Sequence, residues 1–573
     1  MTLDFDDVLP HIGGWGKYQK LLFWLICVPA ALPCAFHGFV QVFMNAIPPH
    51  WCHVPELAGF PLEAQKNLSL PYEEQLGELV PSQCNMYDID YVQLVRENVT
   101  WVANVSWPKV PCTRGWRYEH KLYDETVTTE MDLVCDKNWI GMMTYTVYSF
   151  GNLCGNFIFG FLQDWLGRKK AFFICLTVET VFGIATAFAP ELISYTVFRF
   201  MVGLTVPQIF VIPFVIGIEL VGPERRGFTT IMQCVSYSSG LLVLAGVAYL
   251  VRDWRNLALA TSIPFILMYG YWWFLPESAR WLLSKNRIDE AEAIVQKAAK
   301  VNGMTVPPEL IRKLMKEQEK GELGQLLPGK ARTYTLLDLF RTPNLRKKTV
   351  LVSFIWLVNV IVYVGLSIYI PILGESDYVN FALSSAVELL SYPILFCVID
   401  RWGRRWPLCI SMMLGGVACI ATVLVPSGSE WSWLSITLSL TGKFGISTSF
   451  VVIYPLAAEL YPTVVRGLGL GFSQFCGSVG LIFIPFVVYL GYQYRDLPAF
   501  IMGTVTLVAS VLAMALPETL NQKLPETVEE AEEFGKNQPF CFCCARRKPS
   551  MDDVARNDED LAAAKSSDET ENL

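Results

Sequence analysis

Twelve stretches of the chain are dominated by apolar residues, near 21–43, 139–162, 171–189, 193–219, 229–251, 257–275, 350–372, 379–399, 407–425, 432–457, 468–490 and 498–516. A helix rises about 1.5 Å per residue, so about 20 apolar residues cross a bilayer core of about 30 Å. Each stretch therefore predicts a transmembrane helix. The pattern divides the chain into a lead-in at 1–20, a six-helix bundle at 21–275 interrupted by a long loop at 44–138, a polar linker at 276–349, a second six-helix bundle at 350–516, and a tail at 517–573. Within the linker, Ile288 to Ala299 places apolar residues at helical spacing beside Asp289, Glu290, Glu292 and Lys297, which predicts amphipathic helices joining the bundles. The tail is acidic and low in aromatics, a composition that favours disorder.

The halves repeat one another. Gly160 to Lys170 reads GFLQDWLGRKK, and Ile399 to Trp406 reads IDRWGRRW at the matching place. Glu219 to Gly227, ELVGPERRG, returns as Glu459 to Gly467, ELYPTVVRG, a shift of 240; Pro276-Glu277-Ser278 returns as Pro517-Glu518-Thr519, a shift of 241. A period this long is that of a duplicated multi-helix bundle, not of a solenoid unit. The expected fold is an all-α membrane protein of twelve transmembrane helices in two pseudo-symmetric six-helix bundles.

Composition agrees: of 573 residues, 53% are hydrophobic, and the mean hydropathy is +0.36. The net charge of −8 gives no footing for a nucleic-acid partner. Placement of charge says more. Arg168, Lys169, Lys170, Arg225, Arg226, Arg401, Arg404 and Arg405 fall in short loops that twelve crossings put on one side, which the positive-inside rule makes cytoplasmic, with both termini. Lys17 and Lys20 precede a first run too long for a cleavable signal, so that run is read as a membrane helix. Asn67, Asn98 and Asn104 begin three N-glycosylation sequons, all in the loop that this topology places outside. The same oxidising loop holds Cys52, Cys84, Cys112 and Cys135, enough for two disulfides of open pairing. It shows no nucleophile, metal or phosphate-binding constellation, and the chain calls for no cofactor.

An ionisable group at bilayer depth costs about 2.5 to 3.5 kcal/mol on insertion scales, so each one asks for a function. Glu179, Arg199, Glu219, Glu388, Lys443 and Glu459 are the candidates. Glu388 lies deepest. It is expected either to attract a cationic solute or to pair with Lys443, which in turn is a candidate contact for a solute carboxylate. Arg199 reads as structural or as part of a coupling network. Asp164, Arg168, Glu219 and Arg226 in one half, with Asp400, Arg404, Glu459 and Arg466 in the other, gather at the inner helix ends and are expected to form an ionic latch at a cytoplasmic gate. Phe210, Phe214 and Tyr363 are candidate cation-π surfaces.

GFLQDWLGRKK, IDRWGRRW, PESARWLL (Pro276 to Leu283) and LPET (Leu516 to Thr519) resemble the major facilitator superfamily. The large outer loop with its cysteines, DLFRTPNLRKKT (Asp338 to Thr349), GKFGIS (Gly442 to Ser447) and AELYPTVVRG (Ala458 to Gly467) narrow the resemblance to its organic cation, carnitine and organic anion transporters, the solute carrier family 22 type. That resemblance implies the major facilitator fold, with two bundles rocking about a central site. It also implies that Phe210, Phe214 and Tyr363 line the cleft and that Glu388 is the acidic position shared by cation and carnitine carriers. One position departs: where cation carriers have Asp and carnitine or anion carriers a basic residue, this chain has Ser478, so the usual charge selector is missing.

The expectation is a multi-pass plasma-membrane transporter, not an enzyme, that moves small organic cations or carnitine-like zwitterions by alternating access. A Na+ or proton gradient would concentrate a zwitterion. The alternatives are an organic anion or sugar porter of the same superfamily, and a receptor or scaffold with a transporter fold.

Overall fold

The computed structural model describes residues 8–75, 78–96, 106–222, 225–308, 310–313, 335–374, 376–426, 431–462, 464–494, 496–520, 522, 525, 527–536 and 538. Twelve helical spans follow one another: α1 (Lys17–Met44), α2 (Asn138–Leu166), α3 (Arg168–Thr186), α4 (Leu192–Leu220), α5 (Arg226–Leu250), α6 (Trp254–Ala260, continued by the 3-10 segment Ile263–Trp273), α7 (Pro343–Ile372), α8 (Asp377–Trp402), α9 (Arg405–Val423), α10 (Ser432–Leu460), α11 (Arg466–Gln493) and α12 (Leu497–Ala513). Among the described residues, eight of these are long and apolar enough to cross a membrane on composition alone. The others fall short for visible reasons. α2 buries a polar face of Thr144, Tyr145, Tyr148, Ser149 and Asn152, α3 carries Arg168, Lys169, Lys170 and Glu179, α6 is broken, and α12 has only 17 residues.

In the first half α2 and α3 pack on α4, and α1 on α4 and α5; in the second, α9 packs on α10 and α12, and α7 on α10 and α11. The halves meet along two seams, α5 against α8 and α2 against α11. Small residues set the closest approaches. A Cβ on Gly155 of α2 would overlap the Leu204 carbonyl of α4, and one on Gly203 of α4 would overlap that of Tyr148. Gly445 of α10 meets the Ser411 carbonyl of α9 in the same way.

The repeated signatures have a common structural purpose. Gly167 turns the chain with φ +100 between α2 and α3, and Glu277 of the Pro-Glu-Ser motif accepts from the backbone N–H of Arg168 at 2.8 Å and of Lys169 at 3.1 Å. Gly403 does likewise with φ +86, and Glu518 accepts from Arg404 N–H at 2.9 Å and Arg405 N–H at 3.1 Å. In each half a carboxylate thus caps the first turn of a helix whose orphan donors and positive dipole end face it.

At one end of the bundles a small cap is held by disulfides Cys52–Cys112 and Cys84–Cys135, which settles the pairing. Antiparallel pairs His50–Cys52 with Trp116–Tyr118 and Asn85–Tyr87 with Lys109–Pro111 enclose a core of Trp51, Leu57, Leu68, Met86 and Tyr91. The outer helix ends of the two halves meet beneath it. Phe43 of α1 stacks on Tyr378 of α8 at 5.4 Å and meets Phe381 edge-on at 5.1 Å, while Phe39 meets Phe381 at 6.0 Å. The hydroxyl of Tyr123 donates to Asp377 at 2.6 Å, and that of Tyr378 to the Leu122 carbonyl at 3.0 Å. Beside this contact lies an outer chamber of about 740 Å³, lined among others by Asn45, Tyr145, Pro371 and Pro485.

Replacing Gly155 with Leu is expected to drive α2 and α4 apart and cost about 3 kcal/mol or more, at or beyond the upper range for overpacking. Thermal unfolding of the purified protein in detergent, compared with a Gly160→Leu control at a position where a Cβ meets nothing within 4 Å, checks it.

Candidate functional site

Glu388 lies two helical turns inside Phe381 on α8, roughly 10 Å below the outer aromatic contact at 1.5 Å per residue. Only 1% of it is exposed, and a carboxylate so placed needs donors. It has them from three helices. Tyr363 of α7 donates at 2.9 Å to either oxygen, Tyr392 one turn further along α8 donates at 2.8 Å, and Ser238 of α5 donates from the other half. Lys443 of α10, equally buried, lies 3.4 Å from the second oxygen. Its ammonium donates to Ser367 Oγ at 2.6 Å and to the Tyr363 carbonyl at 3.3 Å, and sits 3.3 Å from the centroid of the Tyr363 ring. Of the two expectations for Glu388, the structure realises the pair with Lys443.

Aromatic rings surround this pair. Phe210 and Phe214 stack at 6.1 Å on α4, and Tyr237 of α5, the neighbour of Ser238, meets Phe210 edge-on at 5.8 Å. From the second half, Phe450 lies 5.2 Å from Tyr363, Tyr454 follows at 5.8 Å from Phe450, and Trp356 closes on Tyr454 at 4.6 Å. Sequence reasoning named Phe210, Phe214, Tyr363, Glu388 and Lys443. It missed Tyr392, which the four-residue spacing from Glu388 on one helix face does signal. It also missed Ser238, Tyr237, Phe450 and Tyr454, which no local pattern distinguishes from core.

Ser478 of α11 lies on the seam between the halves. Its hydroxyl accepts from Asn156 Nδ2 of α2 at 2.8 Å, and Asn156 Oδ1 accepts from Gln208 Nε2 at 3.0 Å. The hydroxyl thus joins α2 to α11 across the seam between halves.

At the inner ends, Arg168 pairs with Asp164 at 3.2 Å and with Glu219 at 3.6 Å, and Arg404 pairs with Glu459 at 3.3 Å. Each of these pairs joins residues of one half: Arg168 ties the α2–α3 turn to Glu219 of α4, and Arg404 ties the α8–α9 turn to Glu459 of α10. Arg226 and Arg466 begin α5 and α11, and Arg466 Nε donates to the Tyr461 carbonyl at 3.4 Å. The Asp400 side chain lies outside the described residues, as do Asn98 and Asn104. Asn67 accepts from the Tyr72 hydroxyl at 2.9 Å on the cap surface.

Residues 115–531 match the family described as sugar (and other) transporter. The chain is 43% identical to the carcinine transporter of Drosophila melanogaster, covering 96% of this chain and 82% of that protein, and 41% identical to the beta-alanine transporter of the same fly, covering 96% and 92%. It is 34% identical to organic cation/carnitine transporter 2 of Homo sapiens, covering 92% and 94%. Among solved structures it resembles the inward-open xylose transporter XylE from E. coli, with a TM-score of 0.59 at 14% identity over 90% of this chain and 100% of that one. That likeness carries the major facilitator fold.

Lys443→Met leaves Glu388 buried beside hydroxyls alone and is expected to destabilise by about 3 to 5 kcal/mol. The double variant Lys443→Met with Glu388→Gln should be markedly milder, because no uncompensated charge remains. Thermal unfolding of the three proteins checks both statements.

Proposed function

The chain belongs to the sugar (and other) transporter family, as a transporter of the organic cation and carnitine type and not an enzyme, and from that premise we propose that it carries small organic cations or zwitterionic amines across the plasma membrane. The observation that carries the reading is the solvent-excluded Glu388–Lys443 pair, held among aromatic rings where α5, α7, α8 and α10 converge. Such a pair is a stand-in for a solute that presents an ammonium and a carboxylate. An entering ammonium takes the place of Lys443 against Glu388 and gains the faces of Tyr363, Phe210 and Tyr237. A carboxylate, where the solute has one, satisfies the displaced Lys443. The names of the relatives, which include carriers of carcinine, beta-alanine, carnitine and organic cations, support this choice of chemistry. Ser478 adds no charge of either sign, which is consistent with tolerance of both classes.

Alternating access follows from where the donors sit. Glu388 is hydrogen-bonded to Ser238 of the opposite half, so a solute that rearranges Glu388 alters a contact between the halves 21–275 and 350–516. Opening outward requires parting Phe43 from Tyr378 and Tyr123 from Asp377. We assign Arg168–Glu219 and Arg404–Glu459, with Asp164, Arg226, Asp400 and Arg466 nearby, to an inner gate whose partners exchange as the halves rock. The cap, bearing Asn67, Asn98 and Asn104 as glycan acceptors, faces outward, and both termini face the cytoplasm. A monovalent cation gains about 2.3 kcal/mol per 100 mV from an inside-negative potential. A zwitterion gains nothing net, and its accumulation draws on Na+ or protons.

Uptake of labelled tetraethylammonium, carnitine, beta-alanine, p-aminohippurate and glucose into cells expressing the protein tests the reading. Uptake of at least one of the first three, blocked in Glu388→Gln at unchanged surface expression, is expected. Glucose uptake alone would make it a sugar porter, uptake of an organic anion alone an anion carrier, and no uptake a receptor or scaffold.

A further inference from the structure

A second buried carboxyl, unused by the site above, lies in the first half. Glu179 on α3 is 1% exposed, and neither of its oxygens has a hydrogen-bond partner among the described residues. Arg199 of α4 is the cation that acts on it electrostatically, yet the guanidinium is engaged elsewhere. Its Nη2 donates to the His37 carbonyl of α1 at 3.0 Å, its Nε to Gln41 Oε1 at 3.3 Å, and it lies 4.8 Å over the Tyr148 ring of α2. Both ring nitrogens of His37 also lack hydrogen-bond partners among the described residues, though the residue is 2% exposed. His37 faces α3: a Cβ on Gly183, one turn on from Glu179 along the same helix face, would come 2.9 Å from His37 Cε1. The remaining titratable neighbours are Cys34 of α1 and Cys175, one turn earlier on α3.

Burying a carboxylate without donor or counter-ion is among the costlier arrangements in a folded chain, and such a group escapes the cost by holding a proton. The pieces for releasing that proton lie on the neighbouring helices: an imidazole neither of whose nitrogens has a hydrogen-bond partner among the described residues, and an arginine bonded to neutral oxygens. We propose that Glu179 is a proton-carrying site, with His37 as its relay and Arg199 as its exchangeable counter-charge, and that proton release there is coupled to movement of the solute.

With the proton on Glu179, Arg199 is left to the α1 oxygens of His37 and Gln41 and draws α1 onto α4. When the proton passes to the His37 imidazole and on to water, the carboxylate formed competes for Arg199, and α1 loses two hydrogen bonds. α1 is also the helix whose Phe39 and Phe43 make the outer contact with Phe381 and Tyr378, so the same event loosens the closure between halves. α4 links the site to the cleft, since it carries Arg199 and, further along, Phe210 and Phe214. The coupling to solute rests on the transport reading above; the proton site itself does not.

Two measurements on the full-length protein test these parts separately. In nanodiscs, infrared difference spectra across neutral pH should show the carbonyl stretch of a protonated carboxylic acid that is missing in Glu179→Gln and retained, shifted, in Glu179→Asp. A signal unchanged by Glu179→Gln, or no signal, overturns the proton site whether or not any probe is carried. In proteoliposomes, an acid-outside gradient should drive net uptake of labelled tetraethylammonium or beta-alanine in the wild type. In Glu179→Gln that drive should fall about tenfold while exchange of the same probe across the membrane continues. Net uptake indifferent to the gradient in the wild type, or equally gradient-driven in Glu179→Gln, overturns the coupling. Loss of exchange in the wild type as well would instead strike at the transport reading.

Discussion

A charge at bilayer depth has no water to turn to, and that constraint arranges the middle of this protein. Glu388 is kept there by donors from three helices and an ammonium from a fourth, and one of the donors belongs to the opposite half. The helices that converge on it, α5, α7, α8 and α10, therefore form more than an apolar contact. They form a place where the two bundles share a polar interaction around a full charge. A pair so satisfied is specific to its geometry.

The same logic operates at the inner surface on a smaller scale. Glu277 and Glu518 each accept two backbone N–H groups at the start of the helix that follows a charged turn, and Gly167 and Gly403 supply the left-handed backbone that lets the carboxylate come close. A side chain on either glycine would collide with the glutamate. The Gly-Arg and Pro-Glu motifs, far apart in the chain, thus repeat together because they are halves of one cap. Arg168–Glu219 and Arg404–Glu459 then fasten the neighbouring helices of each bundle.

The first half holds its own buried charges on different terms. Arg199 donates to neutral oxygens, while Glu179 has no donor among the described residues. The asymmetry between this unsatisfied carboxyl and the fully satisfied Glu388 separates a group suited to binding a proton from one suited to binding a solute.

Length and periodicity of apolar runs are local properties, and they determined the helical spans and the two-fold repeat. They also flagged Glu388, Lys443, Glu179 and Arg199, because an ionisable residue inside an apolar run is conspicuous by its cost. Even the shortfall of α2 as a membrane span has a local trace, in the polar side chains that the structure turns inward. Which groups meet across helices is not a local property. That Ser238 reaches Glu388, that Ser478 is bound to Asn156, that Cys52 joins Cys112, and that Arg199 prefers α1 over Glu179 were decided only when the helices packed, because hydrogen bonds and ion pairs act over a few ångströms between residues the chain holds tens to hundreds of positions apart.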